Sequence, residues 1–376
     1  DIKQKKLSRN RVAVTIKISE GLYAKIKSIN ILGNHAFSEH KLLKQLPIST
    51  PGVFSFFTSY DRFDQGNLQK ALQKLQSYYM DRGYAEFQVL SSENSITPNK
   101  KFFYLTINIS EGKKYYFGGY EILGDTIFPK DDIQKLIKIK TGTVFSRQKV
   151  LDSVTAIKKK ISDSGYAFVN VQPVPDINRK TGIMKIKFYV DAGRKVLVRH
   201  INFKGNTMTN EIVFRRDARF VEGSVYNGSS IDKTTTKLQQ HPFVTSASKS
   251  IVPVMGSENQ VDVNYSLKER SANGIKFSIG YSDLDKFFVG SSLDMPNLFG
   301  TGNAFSISTQ LSRPQQSLSF SYTQPYFTLG GISQTVSAYL QRQDNSKREN
   351  YIGYSMDTYG FSLSYGFPIN DTDTFN

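Results

Sequence analysis

The sequence predicts an α+β chain of three β-α-α-β-β repeats, followed by the N-terminal part of an antiparallel transmembrane β-barrel. Three observations predict this fold class. A strand that ends in glycine recurs along the first 270 residues, and helices with one apolar face recur at a similar spacing. The last hundred residues alternate between apolar and small polar side chains, as strands between lipid and a wet lumen do.

Each repeat opens with a strand that ends in glycine followed by Asn or Asp. The three segments read IKSINILGN, FGGYEILGD and VRHINFKGN, and their glycines are Gly33, Gly124 and Gly205. Because glycine adopts positive φ without strain, we predict that the three glycines form equivalent structural turns. A short helical stretch follows each turn, and Ser38 has the residue type of an N-cap in the first repeat.

A longer helix follows, and its apolar residues recur at i, i+4, i+7 and i+11. These residues are Leu68, Leu72, Leu75 and Tyr79 in the first repeat and Val150, Val154, Ile157 and Ile161 in the second. Both helices run into Gly-Tyr-Ala, which fits a left-handed C-cap. In the third repeat the sequence His241-Pro242 predicts that proline ends the helix instead.

Each repeat closes with two strands, which we predict at 87–96 and 101–109, at 168–175 and 183–190, and at 247–254 and 260–267. The segment VAVTIKISEG at 12–21 matches the last strand of such a repeat. The predicted domains are therefore 1–23 as the closing strand of a preceding repeat, three repeats at 24–112, 113–193 and 194–270, and a partial barrel at 271–376.

The barrel prediction is carried by strict alternation. In the segment 274–282, Ile275, Phe277, Ile279 and Tyr281 fall on one face, and polar or small residues fall on the other. About six strands of this kind fit into the last hundred residues, which is too few to enclose a lumen. Since lipid does not tolerate an open sheet edge, we expect the sequence to be part of a longer barrel.

Positive charge is concentrated in the repeats. The net charge is +17, and residues 1–270 hold 43 Lys and Arg against 24 Asp and Glu, whereas residues 271–376 hold 6 against 8. This excess fits attraction to anionic phospholipid or acidic partners, or else solvated helix faces and edge-strand lysines that oppose aggregation. No nucleic-acid-binding motif is present, so we expect no nucleic-acid partner.

Catalytic and cofactor motifs are absent from the sequence. It contains no cysteine, no phosphate-binding loop, and four histidines without metal-ligand spacing, His35, His40, His200 and His241. We expect no enzyme activity, no cofactor and no metal, with the histidines at surface or turn positions. The aromatic cluster Phe54, Phe56, Phe57 and Tyr60 is interpreted as a loop packed on its own helices, with a docking surface as the alternative.

Unpaired strand edges are the predicted functional chemistry. In each repeat the closing hairpin leaves one strand at the sheet edge, where a second chain can pair through main-chain hydrogen bonds that do not read sequence. Pro173 and Pro175 weaken the second edge and Pro253 shortens the third. The predicted pairing residues are therefore in the first edge: Phe87, Gln88, Val89, Leu90, Ser91 and Ser92. The alternative is that most sheet edges bind nothing.

Several motifs carry a resemblance to a known family. The segments SINILGNHAF, LQSYYMDRGYA, LTINISEG, INFKGN, VDVNYSLKER, NLFGTGNAF and TQPYFT resemble the POTRA–barrel superfamily of outer-membrane assembly and secretion proteins, and the resemblance covers nearly the whole chain. Counted from the barrel, the repeats look like the third, fourth and fifth POTRA domains. The resemblance implies a protein of the Gram-negative outer membrane, with periplasmic POTRA domains, that folds and inserts other β-barrels without ATP.

The resemblance also implies a site and partners. The first barrel strand would form a lateral gate that opens sideways, and its residues are Gly274, Ile275, Lys276, Phe277, Ser278, Ile279, Gly280 and Tyr281. Implied partners are outer-membrane lipoproteins of an assembly complex, unfolded outer-membrane clients, periplasmic chaperones and the lipid bilayer.

Two alternatives remain open. One is a two-partner secretion or translocation-assembly transporter of the same superfamily, which the fourth repeat implied by 12–21 argues against. The other is a periplasmic protein-binding module. It would need the last hundred residues to be soluble strands, against their aromatic alternation.

Overall fold

The computed structural model describes residues 2–7, 11–16, 25–48, 65–99, 101–283, 286–344, 346, 353–369 and 374–375. The aromatic cluster Phe54, Phe56, Phe57 and Tyr60 and residues 17–21 lie outside this described part. Across the described ranges, no helix has both the length and the apolar character that a membrane crossing requires. The chain forms two compact units, one of Asp1–Lys158 with Asn170–Ala192 and one of Lys159–Val169 with Gly193–Asn376.

The first unit begins with an antiparallel pair, β1 (Ile2–Leu7) and β2 (Arg11–Ile16). The first repeat consists of β3 (Lys25–Leu32), α1 (Glu39–Leu43), α2 (Gln65–Met80), β4 (Gln88–Ile96) and β5 (Phe102–Ser110). The second repeat consists of β6 (Tyr116–Gly124), α3 (Lys130–Gln134), α4 (Arg147–Ser162), β7 (Asn170–Asn178) and β8 (Ile183–Asp191), with the end of α4 in the second unit.

The sheets of these repeats share one topology. Their strand orders are β3-β5-β4 and β6-β8-β7, so the last strand lies in the middle. It runs parallel to the opening strand and antiparallel to its hairpin partner. The predicted β-α-α-β-β fold is therefore confirmed, and β4 and β7 lie at sheet edges.

The predicted helix faces are buried. Leu68, Leu75 and Tyr79 join the core of the first repeat with the inward residues of β3 and β5, whereas Leu72 is only half-buried against it. In α4 the residues Val150, Val154, Ile157 and Ile161 are all buried.

The second unit contains the third repeat and the barrel strands. The repeat consists of β9 (Leu197–Lys204), α5 (Glu211–Arg215), α6 (Gly228–Gln240), β10 (Val244–Pro253) and β11 (Gln260–Glu269), in the sheet order β10-β11-β9. A second sheet follows in chain order: β12 (Gly274–Ser282), β13 (Lys286–Met295), β14 (Ala304–Ser312), β15 (Gln315–Gln324), β16 (Ser333–Asp344), β17 (Ser355–Pro368) and the two-residue β18 (Thr374–Phe375). Within the described residues this sheet is antiparallel and does not close on itself.

The ends of α6 follow local chemistry, whereas the start of α1 does not. The side chain of Asn227 caps α6 by accepting a hydrogen bond of 2.8 Å from the N–H of Ser230. The helix ends at His241, whose extended backbone precedes Pro242, as the sequence predicts. Ser38 occupies the N-cap position of α1, but its side chain makes no capping hydrogen bond.

The register of the barrel strands separates two chemical faces. One row across β12 to β17 is apolar and consists of Ile275, Leu293, Ile307, Phe320, Ala338 and Phe361. The adjacent row on the opposite face is mostly polar or small and consists of Lys276, Ser292, Ser308, Ser319, Tyr339 and Gly360. In the second row, the hydroxyls of Ser308 and Ser319 lie 2.7 Å apart. The pattern is that of a barrel wall between lipid and a polar lumen.

Candidate functional site: unpaired strand edges

The three repeated glycines end the opening strands in the same way. Gly33, Gly124 and Gly205 have φ of +91°, +91° and +87°. A Cβ at each would lie 2.1–2.2 Å from the carbonyl oxygen of a residue in the central strand, which is Ile109, Val190 or Leu267. Any other residue would be strained and would also clash, so these turns hold the opening strand close to the central one.

The edge of β4 offers free main-chain donors. The N–H of Thr97 donates to the carbonyl of Phe102 at 3.0 Å, which fixes the direction of the backbone groups along the strand. Because these groups alternate in an antiparallel ladder, the N–H and C=O groups of Ser92, Asn94 and Ile96 point away from β5. All three residues are exposed, and no hydrogen bond from another described residue reaches these outward backbone groups.

The start of this edge differs from the predicted span. Phe87 lies before the strand, its N–H donates to the carbonyl of Tyr84, and its buried ring stacks on Tyr79 at 4.4 Å. Phe87 therefore belongs to the core, because its large apolar ring is stabilised by burial, and the strand begins at Gln88. Leu90 forms a bulge between Val89 and Ser91 and exposes 65% of its surface. Bulges twist a strand and confine regular pairing to the segment that follows.

The corresponding edge of β7 lacks two of its outward main-chain donors. The N–H of Asp125 donates to the carbonyl of Val190 at 3.0 Å, so Val190 directs its backbone groups towards β6. Its partner Val171 therefore points outward, and by alternation Pro173 and Pro175 also occupy outward positions. Neither proline has an N–H, so half of the four outward positions from 171 to 177 cannot donate.

The edge of β10 is partly occupied from within its own repeat. Gln239 at the end of α6 donates its side-chain N–H to the outward carbonyl of Ala247 at 2.7 Å. Pro253 removes the last outward donor of the strand, because the bond from the N–H of Val254 to the carbonyl of Gln260 makes position 253 point outward. Of the three repeats, the first thus presents the longest uncapped edge among the described residues.

The first barrel strand β12 is also an edge, since β13 is its neighbour in the described sheet. Lys276 forms an ion pair of 3.1 Å with Asp294 on the polar face. Gly280 makes room for the ring of Phe288, which a Cβ would meet at 2.3 Å, whereas nothing lies within 4 Å of a Cβ at Gly274. Glycine is therefore needed for packing at Gly280 but not at Gly274.

Metal-binding chemistry is not seen beside these edges in the described part of the chain. Within the described residues, no three His, Asp or Glu side chains converge as metal ligands would. The candidate site consists of the outward main-chain hydrogen-bonding groups of the edge strands and of the face of the barrel strands.

Comparison with known proteins matches both parts of the chain. The family model "POTRA: Surface antigen variable number repeat" matches residues 24–112, 115–193 and 196–270, and the model of the Omp85 superfamily domain matches residues 297–376. The chain belongs to the POTRA-repeat family of the Omp85 superfamily. Its α+β repeats are POTRA domains, and the antiparallel sheet that follows them corresponds to an Omp85 barrel.

Individual proteins that resemble this POTRA–Omp85 chain support the same family assignment. Outer membrane protein assembly factor BamA of Neisseria meningitidis is 29% identical over 99% of this chain, which spans 47% of that relative. The structure of Haemophilus ducreyi BamA lacking POTRA domains 1–3 is 29% identical in sequence, with a TM-score of 0.62. The match covers 69% of this chain and 49% of the Haemophilus ducreyi chain. The structure of Haemophilus influenzae BamA POTRA3-5 is 27% identical in sequence, with a TM-score of 0.60. The match covers 66% of this chain and 97% of the Haemophilus influenzae chain. The chain thus spans about half the length of the curated relative it matches.

The third POTRA repeat contacts the turn between β15 and β16 through a polar cluster. Asp217 is fully buried, and its Oδ1 accepts a hydrogen bond of 2.8 Å from the hydroxyl of Tyr326, in the turn between β15 and β16. Nζ of Lys237 donates to the same hydroxyl at 2.7 Å, and Nε2 of His241 lies 2.6 Å from Oδ2 of Asp217. Burial opposes the charge of Asp217, but hydrogen bonds from His241 and Tyr326 and the charge of Lys237 outweigh it and lower its pKa.

Few features of the sequence indicate this cluster. His241 was expected at the surface or in a turn, and it does end a helix, but its ring lies against a buried carboxylate. Tyr326 stands inside the family-like segment TQPYFT, where nothing distinguishes it from the other aromatic residues. The one local signal is Asp217 directly after two arginines at the end of α5.

Proposed function

We propose that this protein folds and inserts β-barrel proteins into the outer membrane of a Gram-negative cell. Unfolded client strands pair with the open edge of β4 in the periplasm and with β12 at a lateral seam of the barrel. The observation that carries the proposal is the run of unpaired, outward main-chain groups at Ser92, Asn94 and Ile96, in a chain whose relatives are named outer membrane protein assembly factors. Main-chain pairing suits clients of many sequences.

The chemistry needs no catalytic group and no cofactor. A client that pairs with an edge replaces hydrogen bonds to water by hydrogen bonds to protein, so its polar backbone can enter lipid without exposed donors. The free energy comes from the stability of the inserted client, and the assembly protein lowers the kinetic barrier. We therefore propose a non-enzymatic assembly factor.

The proposed domain arrangement follows the same logic. The POTRA domains at 24–112, 113–193 and 194–270 lie in the periplasm, and residues 271–376 lie in the membrane. The pair β1 and β2 is antiparallel, like the closing pair of each repeat, which supports assigning residues 1–23 to a preceding POTRA domain. Proposed partners are unfolded clients, outer-membrane lipoproteins, periplasmic chaperones and the lipid bilayer.

Reconstitution tests the function. The full-length protein in phospholipid vesicles should accelerate folding of an unfolded β-barrel client, measured by the shift of the folded client on unheated gels. Absence of acceleration would overturn the proposal. A disulfide engineered between β12 and the strand that closes the barrel should stop insertion, and reduction should restore it. Full activity of the crosslinked protein would exclude lateral opening while leaving assembly in place.

A further inference from the structure

The cluster around Asp217 connects the third POTRA repeat to the barrel strands. The third POTRA repeat supplies Arg216, Asp217, Lys237 and His241. The barrel supplies one neutral side chain, Tyr326. A buried carboxylate is tolerated only when its oxygens are hydrogen-bonded, and here one of those bonds comes from the barrel.

Both ends of the Tyr326 side chain are used. Its hydroxyl donates to Asp217 and accepts from Lys237, a pair of roles that a phenol can fill and a phenylalanine cannot. Its ring lies 4.4 Å from the guanidinium carbon of Arg216 and 5.3 Å from Nζ of Lys237. Two cations at this distance from the ring add cation–π attraction. The pocket of the repeat is therefore specific for tyrosine in both shape and hydrogen bonding.

A second contact lies at the other turn of the sheet. The N–H of Asn210 donates to the carbonyl of Gly300 at 2.9 Å, and the side chain of Asn297 donates to the hydroxyl of Thr209 at 2.7 Å. Gly300 is required here, because a Cβ would lie 2.3 Å from the carbonyl oxygen of Met208. Two separate attachments fix the orientation of a domain, whereas one attachment fixes only its distance.

We propose that Tyr326 is a positioning residue that docks into the Asp217 pocket and sets the orientation of the third POTRA repeat beneath the barrel strands. Only residues 270–273 separate β11 of this repeat from β12. The orientation of the repeat therefore determines where the first barrel strand starts. The consequence for client insertion rests on the proposed function, whereas the docking itself does not.

Hydrogen exchange in the full-length protein in vesicles tests the docking. The amide of Asn210 is the reporter, because its bond to Gly300 exists only in the docked state. Tyr326→Phe should raise the exchange rate of this amide about tenfold, while the amides of β11 stay protected and show that the repeat is folded. An unchanged rate would overturn the proposal.

A matched control removes another phenol from the same strand region. Tyr322 accepts hydrogen bonds from Asn303 and Gln324, both in the barrel segment, so Tyr322→Phe should leave the exchange of Asn210 unchanged. Asp217→Asn should act like Tyr326→Phe, and the double variant should exchange no faster than the faster single variant. Additive effects would show that the two residues do not act through one contact.

The rate of client insertion tests whether the docking of Tyr326 matters for assembly. Tyr326→Phe should slow client insertion several-fold and Tyr322→Phe should not. Faster exchange with an unchanged insertion rate would overturn the role in assembly and leave the docking. No insertion by the unaltered protein, with exchange as expected, would instead contradict the proposed function.

Discussion

The sheet edges of the first and second POTRA repeats have the same topology, but they differ in how many outward main-chain N–H groups they keep. Both β4 and β7 pair with the middle strand of a three-stranded sheet, and within the described ranges neither has a strand neighbour on its outer side. The outward positions Ser92, Asn94 and Ile96 of β4 keep their donors, whereas Pro173 and Pro175 remove two donors from β7. The difference shows that topology makes an edge available and that side-chain identity decides whether it can template another strand.

The largest expected effect is the loss of stability when a buried core residue of the first repeat is truncated. Leu75→Ala should lower the free energy of unfolding of the first repeat by about 2–5 kcal/mol, because Leu75 is fully buried against the sheet. Leu72→Ala should cost about half as much, since Leu72 is only half-buried. Urea unfolding of the full chain, followed by hydrogen exchange in β5, measures both. Equal costs would mean that α2 packs differently.

A proline pair along β4 sharpens the comparison with β7. Glu93 and Asn94 are both exposed, but the N–H of Glu93 points to β5 and that of Asn94 points outward. Glu93→Pro should destabilise the first repeat by about 2 kcal/mol, because it breaks the ladder. Asn94→Pro should leave stability nearly unchanged and weaken association with a client strand peptide. The reverse pattern, seen by unfolding and by peptide binding, would refute the assigned direction of the edge.

The converse change should open the second edge. Replacing Pro173 and Pro175 together by valine restores two outward main-chain donors. We expect the affinity of β7 for the same strand peptide to rise a few-fold, measured by binding-induced hydrogen-exchange protection of residues 171–177. A gain at β4 instead of β7 would show that the prolines act by another route.

The smallest effect concerns the residue just before the β4 hairpin strand. Glu86 accepts hydrogen bonds from Tyr115 at 2.5 Å and from Arg179 at 2.8 Å, and these bonds lower its pKa. A carboxylate with a lowered folded-state pKa stabilises above its unfolded pKa, and this stabilisation is lost as the pH falls through the folded value. Stability should therefore fall below about pH 4.3 by more in the native protein than in Glu86→Gln. Parallel pH curves in thermal unfolding would contradict this contact.

Much of the fold follows from local patterns. The i, i+4, i+7 spacing of Leu68, Leu72 and Leu75 and the alternation from Ile275 to Tyr281 depend only on helix and strand periodicity, so the sequence is sufficient to predict them. The start of the edge strand β4 is harder to predict from the sequence. Phe87 continues the apparent β pattern, and only the packing of its ring on Tyr79 shows that it belongs to the core.

The cluster around Asp217 could not be predicted from one sequence. Asp217 and Tyr326 lie 109 positions apart in the sequence, and each member of the cluster is an ordinary surface residue type. The direction of backbone groups along β4 was equally hidden, because it depends on the register set by Thr97 and Phe102. Long-range register and burial are properties of the folded chain rather than of any local segment.

Residue-resolved hydrogen exchange along β4, with and without an unfolded client, tests the central claim most directly. If client strands pair with this edge, the amides of Ser92, Asn94 and Ile96 gain protection, whereas those of Ser91, Glu93 and Ser95, already bonded to β5, do not change. The outward amides of β7 should show no gain. Unchanged exchange at all three outward amides of β4, under conditions in which the client is being folded, would contradict the account.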